Sequence, residues 1–107
     1  MVSDKVTVEE EQLRDYEMVL VISPELAEEE LEATIDNVSR LITENGGAIS
    51  DTERWGKRKL AYPIRHFIEG SYVLVSFKSK PEFGKELETE LRISEMILRY
   101  LLIKLDS

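Results

Sequence analysis

The chain of 107 residues predicts an α+β fold of the ferredoxin-like, split βαβ kind: a four-stranded antiparallel sheet carrying two helices on one face. Two patterns and one quantity carry that prediction. Apolar residues alternate or run together over strand-length segments in four places, and they recur at steps of three and four in two others, in the order β-α-β-β-α-β. The hydrophobic share is 42%, which in a chain this short supplies one packed core and not two.

Residues 1–14 mix charges with a few β-branched side chains and hold no sustained period, so they are expected to form a mobile N-terminal extension to a domain spanning 15–107. The first strand is expected over 15–22, with Tyr16, Met18, Leu20 and Ile22 on one side and Glu17, Val19 and Val21 on the other. Ser23-Pro24 ends it, because proline has no amide hydrogen and its fixed φ suits the opening of a helix. Ala27, Leu31, Ile35, Val38, Leu41 and Ile42 then mark the apolar stripe of that helix. The acids Glu28 to Glu30 complement the positive end of its dipole as a solvated helix start, and Gly46-Gly47 supplies the stop.

A long edge strand is expected over 48–64. Gly56 inside it signals a bulge, and Pro63 confines it to the margin of the sheet. After a loop over 65–70, residues 71–77 give the third strand, near enough in sequence to form a hairpin with the second. Pro81 opens a second helix with Phe83, Leu87 and Leu91 on its apolar face, and 97–105 form a last strand that is apolar except at Arg99 and Lys104.

Several function classes are excluded by what is missing. With no cysteine and one histidine, His66, neither a disulfide framework nor an ordinary zinc site can be assembled. The serines sit in no nucleophile-elbow pattern and Gly46-Gly47 is no phosphate-cradling loop, so neither an active site nor a cofactor is expected. The longest apolar run, Met18 to Ile22, is far short of a membrane span, and a soluble, cytoplasmic protein is expected.

The formal charge of -8 hides a segregation. Residues 1–23 carry -4, 24–47 carry -6, 48–80 carry +4 and 81–107 carry -2. A polyanion responds to the local field, so a basic segment can dock on phosphate while acidic surfaces face elsewhere. Within that segment Arg54, Lys57, Arg58 and Lys59 are interleaved with Trp55 and followed by Tyr62, cations beside aromatic rings that can stack on a base or ribose. The open sheet face poses a second question. With the helices covering one side, Val19, Val21, Tyr72, Leu74, Leu101 and Ile103 are left on the other with Arg99, joined by Trp55 and Leu60 of the edge strand. Such an apolar patch marks an interface.

The stretch Trp55-Gly56-Lys57-Arg58-Lys59-Leu60-Ala61-Tyr62-Pro63-Ile64 carries a resemblance, together with Tyr16-Glu17, Glu69-Gly70-Ser71-Tyr72-Val73-Leu74 and Ile97-Leu98-Arg99-Tyr100-Leu101. From about Tyr16 to Leu105 the chain resembles the bacterial small-subunit ribosomal protein six family. The resemblance implies the same fold and a non-enzymatic constituent of the small ribosomal subunit. It further implies binding to the central domain of the 16S ribosomal RNA as a heterodimer with the small basic ribosomal protein eighteen, which would sit on the apolar open face. Carried over by position, Lys57, Arg58, Lys59, Tyr62 and Arg99 belong to the RNA or partner surface, and charge and location add Arg54 and Arg65. The chain departs from the family in its first fourteen residues, its acidic first helix, and the lack of a long acidic tail, so no regulation through a tail is expected.

Two rivals on the same fold lack their signatures: a small-ligand domain its glycine-rich loop, and an acylphosphatase-like enzyme an arginine after the first strand, where Ser23-Pro24-Glu25-Leu26 stands. A protein-only interaction module remains the alternative, with the apolar sheet face sufficient and the basic strand incidental.

Overall fold

The computed structural model describes residues 13–105. All but the last two residues of the expected N-terminal extension lie outside that range. The strand begins one residue earlier than its pattern suggests, since Arg14 already pairs with Ser79. Six elements follow in the predicted order: β1 Arg14–Ile22, α1 Glu28–Glu44, β2 Ala48–Ile64, β3 Phe67–Ser79, α2 Phe83–Ile93 and β4 Ile97–Lys104. The sheet order is β2-β3-β1-β4 with every neighbouring pair antiparallel, so each helix links two parallel strands with a third threaded between them.

Alternation along the strands places the core. Met18, Leu20 and Ile22 of β1 and Val73, Val75 and Phe77 of β3 point to the helices and are buried, as are Leu31, Ile35, Val38 and Ile42 of α1 and Phe83, Leu87 and Leu91 of α2. Tyr16 pairs with Phe77 across the sheet, and their rings stack with centroids 5.4 Å apart. Each such side chain removed from water contributes about 1.5–3 kcal/mol, which holds the helical layer on this face.

Two local expectations are corrected. The first helix starts at Glu28 and not at Pro24, because Pro24 to Leu26 form a turn first, in which Ser23 Oγ accepts from the Glu25 N–H. Ala27 then precedes the helix without a capping side chain, and Glu30 Oε1 accepts the Ala27 N–H at 3.1 Å in its stead. The segment 65–70 is not a loop. Arg65 and His66 alone make the turn, at φ 49° and 59°, and Ile64 already pairs with Phe67. Two positive φ values are what a tight hairpin turn demands, and side chains other than glycine disguise it. Exposed His66 is a turn residue with its ring tilted against Phe67.

The hairpin of β2 and β3 outruns β1, whose pairing with β3 ends at Ile22 and Ser71. Its tip bends across the end of β1 to reach β4: Arg65 Nη1 donates to the Glu95 carbonyl at 3.1 Å, and Arg99 Nη1 donates to the Tyr62 hydroxyl. The crossing depends on Gly70, where a Cβ would lie 2.5 Å from Val21 Cγ1. Valine is stiff about χ1 and cannot swing away. Gly70→Ala is therefore expected to cost ~1–3 kcal/mol, read as a lowered urea midpoint. An unchanged midpoint would show that the crossing is looser than these contacts require.

Candidate nucleic-acid and protein interface

The basic strand is divided by its own geometry. Up to the bulge, Thr52 and Arg54 pair with Val75 and Val73 and so point to the helical side. Gly56, at φ 84°, absorbs an extra residue between Arg54 and Tyr72's partner position, and the alternation restarts beyond it. Arg54, expected on the RNA surface, turns instead to the helical side. Its guanidinium donates to both oxygens of Glu28 at the start of α1, Nη2 to Oε1 at 3.0 Å, and stands 3.7 Å from Glu32. The acidic helix start thus holds a strand cation in addition to meeting the helix dipole.

That hydrogen bond holds the Glu28 carboxyl below the usual carboxylate range, outweighing the smaller opposing effect of desolvation. A depressed folded-state value makes the pair's contribution to stability present above the ordinary carboxylate pKa and lost as pH falls through the folded one. The contribution is small, because both groups face water. Arg54→Ala is expected to return the Glu28 titration upward to the ordinary range, observable by carboxyl-carbon NMR, while RNA affinity stays unchanged. A fall in RNA affinity would put Arg54 back on the binding surface.

Beyond the bulge, Arg58 pairs in register with Gly70, whose Cβ direction points at Val21 on the open face. Its guanidinium lies over the Trp55 ring, 5.1 Å from the centroid, and the Trp55 indole N–H donates to Glu53 at 3.1 Å. Arg99, paired with Val21, covers the Tyr62 ring at 5.2 Å. Each stack gains about 0.5–1 kcal/mol at an exposed site and leaves most of the guanidinium donors free. Lys57 and Lys59 pair with Ser71 and Glu69 and alternate to the other side of the strand, with Lys57 beside Leu26 and Glu28. The structure therefore gathers Arg58, Tyr62 and Arg99 on the open face and Arg65 at the hairpin turn, and sets Lys57 and Lys59 around the sheet edge from them.

The apolar half of the face follows the register closely. Val19 lies between Leu74 and Leu101, and Glu17 between Ser76 and Ile103. Leu101 is 57% exposed, Ile103 39% and Trp55 37%, while Val19, Leu60, Tyr72 and Leu74 are half-buried. Val21, expected as a partner contact, points to the open face but is only 5% exposed, with the Gly70 backbone crowded against it. Val21 supports this surface from beneath. Ile68 at the hairpin tip, 63% exposed, extends the apolar surface in a way the sequence reading missed; in a segment taken for a loop its strand position was invisible.

Among the described residues no group of histidine and carboxylate side chains could hold a metal ion, and no helix is long and apolar enough to cross a membrane. The chemistry on offer is cations held by aromatic rings next to an apolar sheet surface.

Comparison with known proteins gives a consistent picture. The family model described as Ribosomal protein S6 matches residues 15–104. The small ribosomal subunit protein bS6 of Caldanaerobacter subterraneus is 49% identical over 94 residues, covering 88% of this chain and 99% of that protein. That of Moorella thermoacetica is 43% identical over 94 residues, covering 88% and 96%. Among solved structures, the crystal structure of 30S ribosomal protein S6 from Thermotoga maritima shares the fold with a TM-score of 0.81 at 35% identity, over 86% of this chain and 87% of that one.

Proposed function

Since the chain belongs to the ribosomal protein S6 family, whose members are structural proteins of the small ribosomal subunit and not enzymes, we propose that it binds the central domain of the 16S ribosomal RNA as a heterodimer with ribosomal protein eighteen. The observation that carries this reading is the composition of one surface. Arg58 and Arg99, each laid on an aromatic ring, share with the exposed Leu101 and Ile103 a sheet face that no described element covers. Cations on rings suit phosphate and ribose; the apolar strip suits a protein.

The mechanism is coupling. Partner and RNA each bury surface next to the other, so a partner that fixes the open face raises RNA affinity, and RNA raises partner affinity by the same factor. Acidic α1 lies across the sheet from this face, where it attracts a basic partner at long range and repels RNA from the wrong side.

Binding of the chain to a central-domain RNA fragment, with and without ribosomal protein eighteen and over a range of salt, tests the reading. Tight, salt-sensitive binding that needs both proteins is the expected result. A folded sample that binds the partner and leaves RNA affinity unaltered would establish the protein-only module instead.

A further inference from the structure

The helical layer carries an apolar surface of its own, on the side away from the open sheet face. Between α1 and the end of α2 lies a cleft of about 340 Å³. Buried Val38, Leu91 and Ile97 line it together with half-buried Leu41 and the exposed Ile93 and Met96. Ile93 is 68% exposed and stands outside the buried stripe of α2, Phe83, Leu87 and Leu91, so the core does not account for it. Two features of the surroundings set the charge of what can cover this cleft. The layer is acidic: α1 holds six carboxylates against Arg40, and α2 holds three against Lys85 and Arg92. The C-terminus of α2 also lies at the cleft, which Ile93 and Ser94 line. The Leu91 carbonyl accepts the Ser94 N–H at 3.4 Å, while among the described residues the Arg92 and Ile93 carbonyls accept no backbone N–H. Open carbonyls at the negative end of a helix dipole favour a lysine or arginine. Arg92, the cation of that last turn, engages Glu88 and Tyr100 and does not line the cleft.

We propose that this cleft docks a basic amphipathic helix of another protein, with a bulky apolar side chain seated among Leu41, Ile93 and Met96 and a lysine or arginine beside it at the end of α2. The surface is separate from the sheet face and stands whether or not the RNA-binding reading holds. Charge selects the occupant. The acidic helices repel RNA and anionic lipid. A second copy brings a formal charge of -8, and its own basic run, Arg54 to Lys59, is fixed along β2 and forms no helix. A basic helix meets both requirements: apolar anchors at steps of three and four enter a groove, and lysine or arginine stems lie along Ile93 and Met96 with their charged heads at the open carbonyls. The cleft volume falls at the lower end of ligand cavities, roughly 300–1,000 Å³, which gives room for an anchoring side chain.

The test uses the full chain and a synthetic helical peptide of about 14 residues, with leucines at i, i+3, i+4 and i+7 and lysines elsewhere. A second peptide of the same composition has its leucines spread around the helix. Methyl NMR follows Ile93 and Met96 beside Leu101 and Ile103 of the sheet face. The patterned peptide is expected to shift Ile93 and Met96, to bind about tenfold more tightly than the spread one, and to weaken as salt is raised. Ile93→Lys, on an exposed side chain, should leave the melting temperature in place and lower the affinity about tenfold, and Ile93→Leu should retain it. Ala33→Lys makes the same change of charge on the exposed side of α1 and should cost far less. Equal binding of the two peptides, or an equal loss from Ala33→Lys, would reduce the contact to charge attraction and overturn the proposal. Shifts at Leu101 and Ile103 in place of Ile93 and Met96 would put basic helices on the sheet face and overturn it too, as would the absence of any shift.

Discussion

Replacing Leu101 by aspartate is expected to abolish pairing with ribosomal protein eighteen while leaving the chain folded. Leu101 is more than half exposed in the free protein, sits opposite Val19 on the open face of the edge strand β4, and lies outside the buried core. Substitutions at such positions usually alter stability by less than ~0.5 kcal/mol. At the centre of an apolar interface the same carboxylate would be stripped of water with no cation assigned to it. That penalty is at least ~3 kcal/mol, more than a hundredfold in Kd. Calorimetric titration with the partner, beside a thermal melt of the variant alone, separates the two effects. Undiminished affinity would move the partner off this face.

The second large effect is expected from Arg58→Ala combined with Lys59→Ala. The two side chains alternate around the outer edge of the sheet, so a polyanion following that edge meets both. Charge-assisted contacts contribute about 1.5–3 kcal/mol each, so the pair is expected to account for ~3 kcal/mol or more, a hundredfold in RNA affinity. The slope of log affinity against log salt should flatten by about 1.4–1.8, the sum for two phosphates. Partner affinity in the absence of RNA should change far less, because the Trp55 ring remains in place once Arg58 is gone. Equal losses in both assays would mean that these residues hold the partner and that RNA is bound elsewhere.

The fold was legible because its signals are local. On β1, β3 and β4, alternation assigned Tyr16, Met18, Val73, Val75, Tyr100 and Leu102 to the helical side and Val19, Leu74, Leu101 and Ile103 to the other, and the register agrees at each. The candidate site was legible only as far as strand alternation remained unbroken. In one dimension Arg54 to Lys59 form a single basic run. In three, the bulge at Gly56 and the pleat send Arg54 to Glu28, Arg58 to the open face and the two lysines around the edge. Gly56 was recognised as a bulge, yet the number of residues it absorbs is set by pairing with β3, which is a non-local quantity. The burial of Val21 was illegible for a related reason: it depends on a hairpin forty residues later crossing above it.

The sheet order sets a schedule for the chain as it is made. β1 is the first strand synthesised and one of the two central strands; it acquires one neighbour with β3 and the other only with β4, the last element to appear. Until then one full edge of β1, including Met18, Leu20 and Ile22, is without its hydrogen-bonded neighbour, and a nascent chain carries that open edge until Ile97 to Lys104 emerge. Closure of the first strand against the last is the pairing of greatest sequence separation in the sheet, the kind of contact whose loop-closure cost slows folding. Stalled or truncated chains lacking Ile97 to Lys104 would retain the helices and the β2–β3 hairpin but present an adhesive strand edge, a target for chaperones and for pairing with other copies.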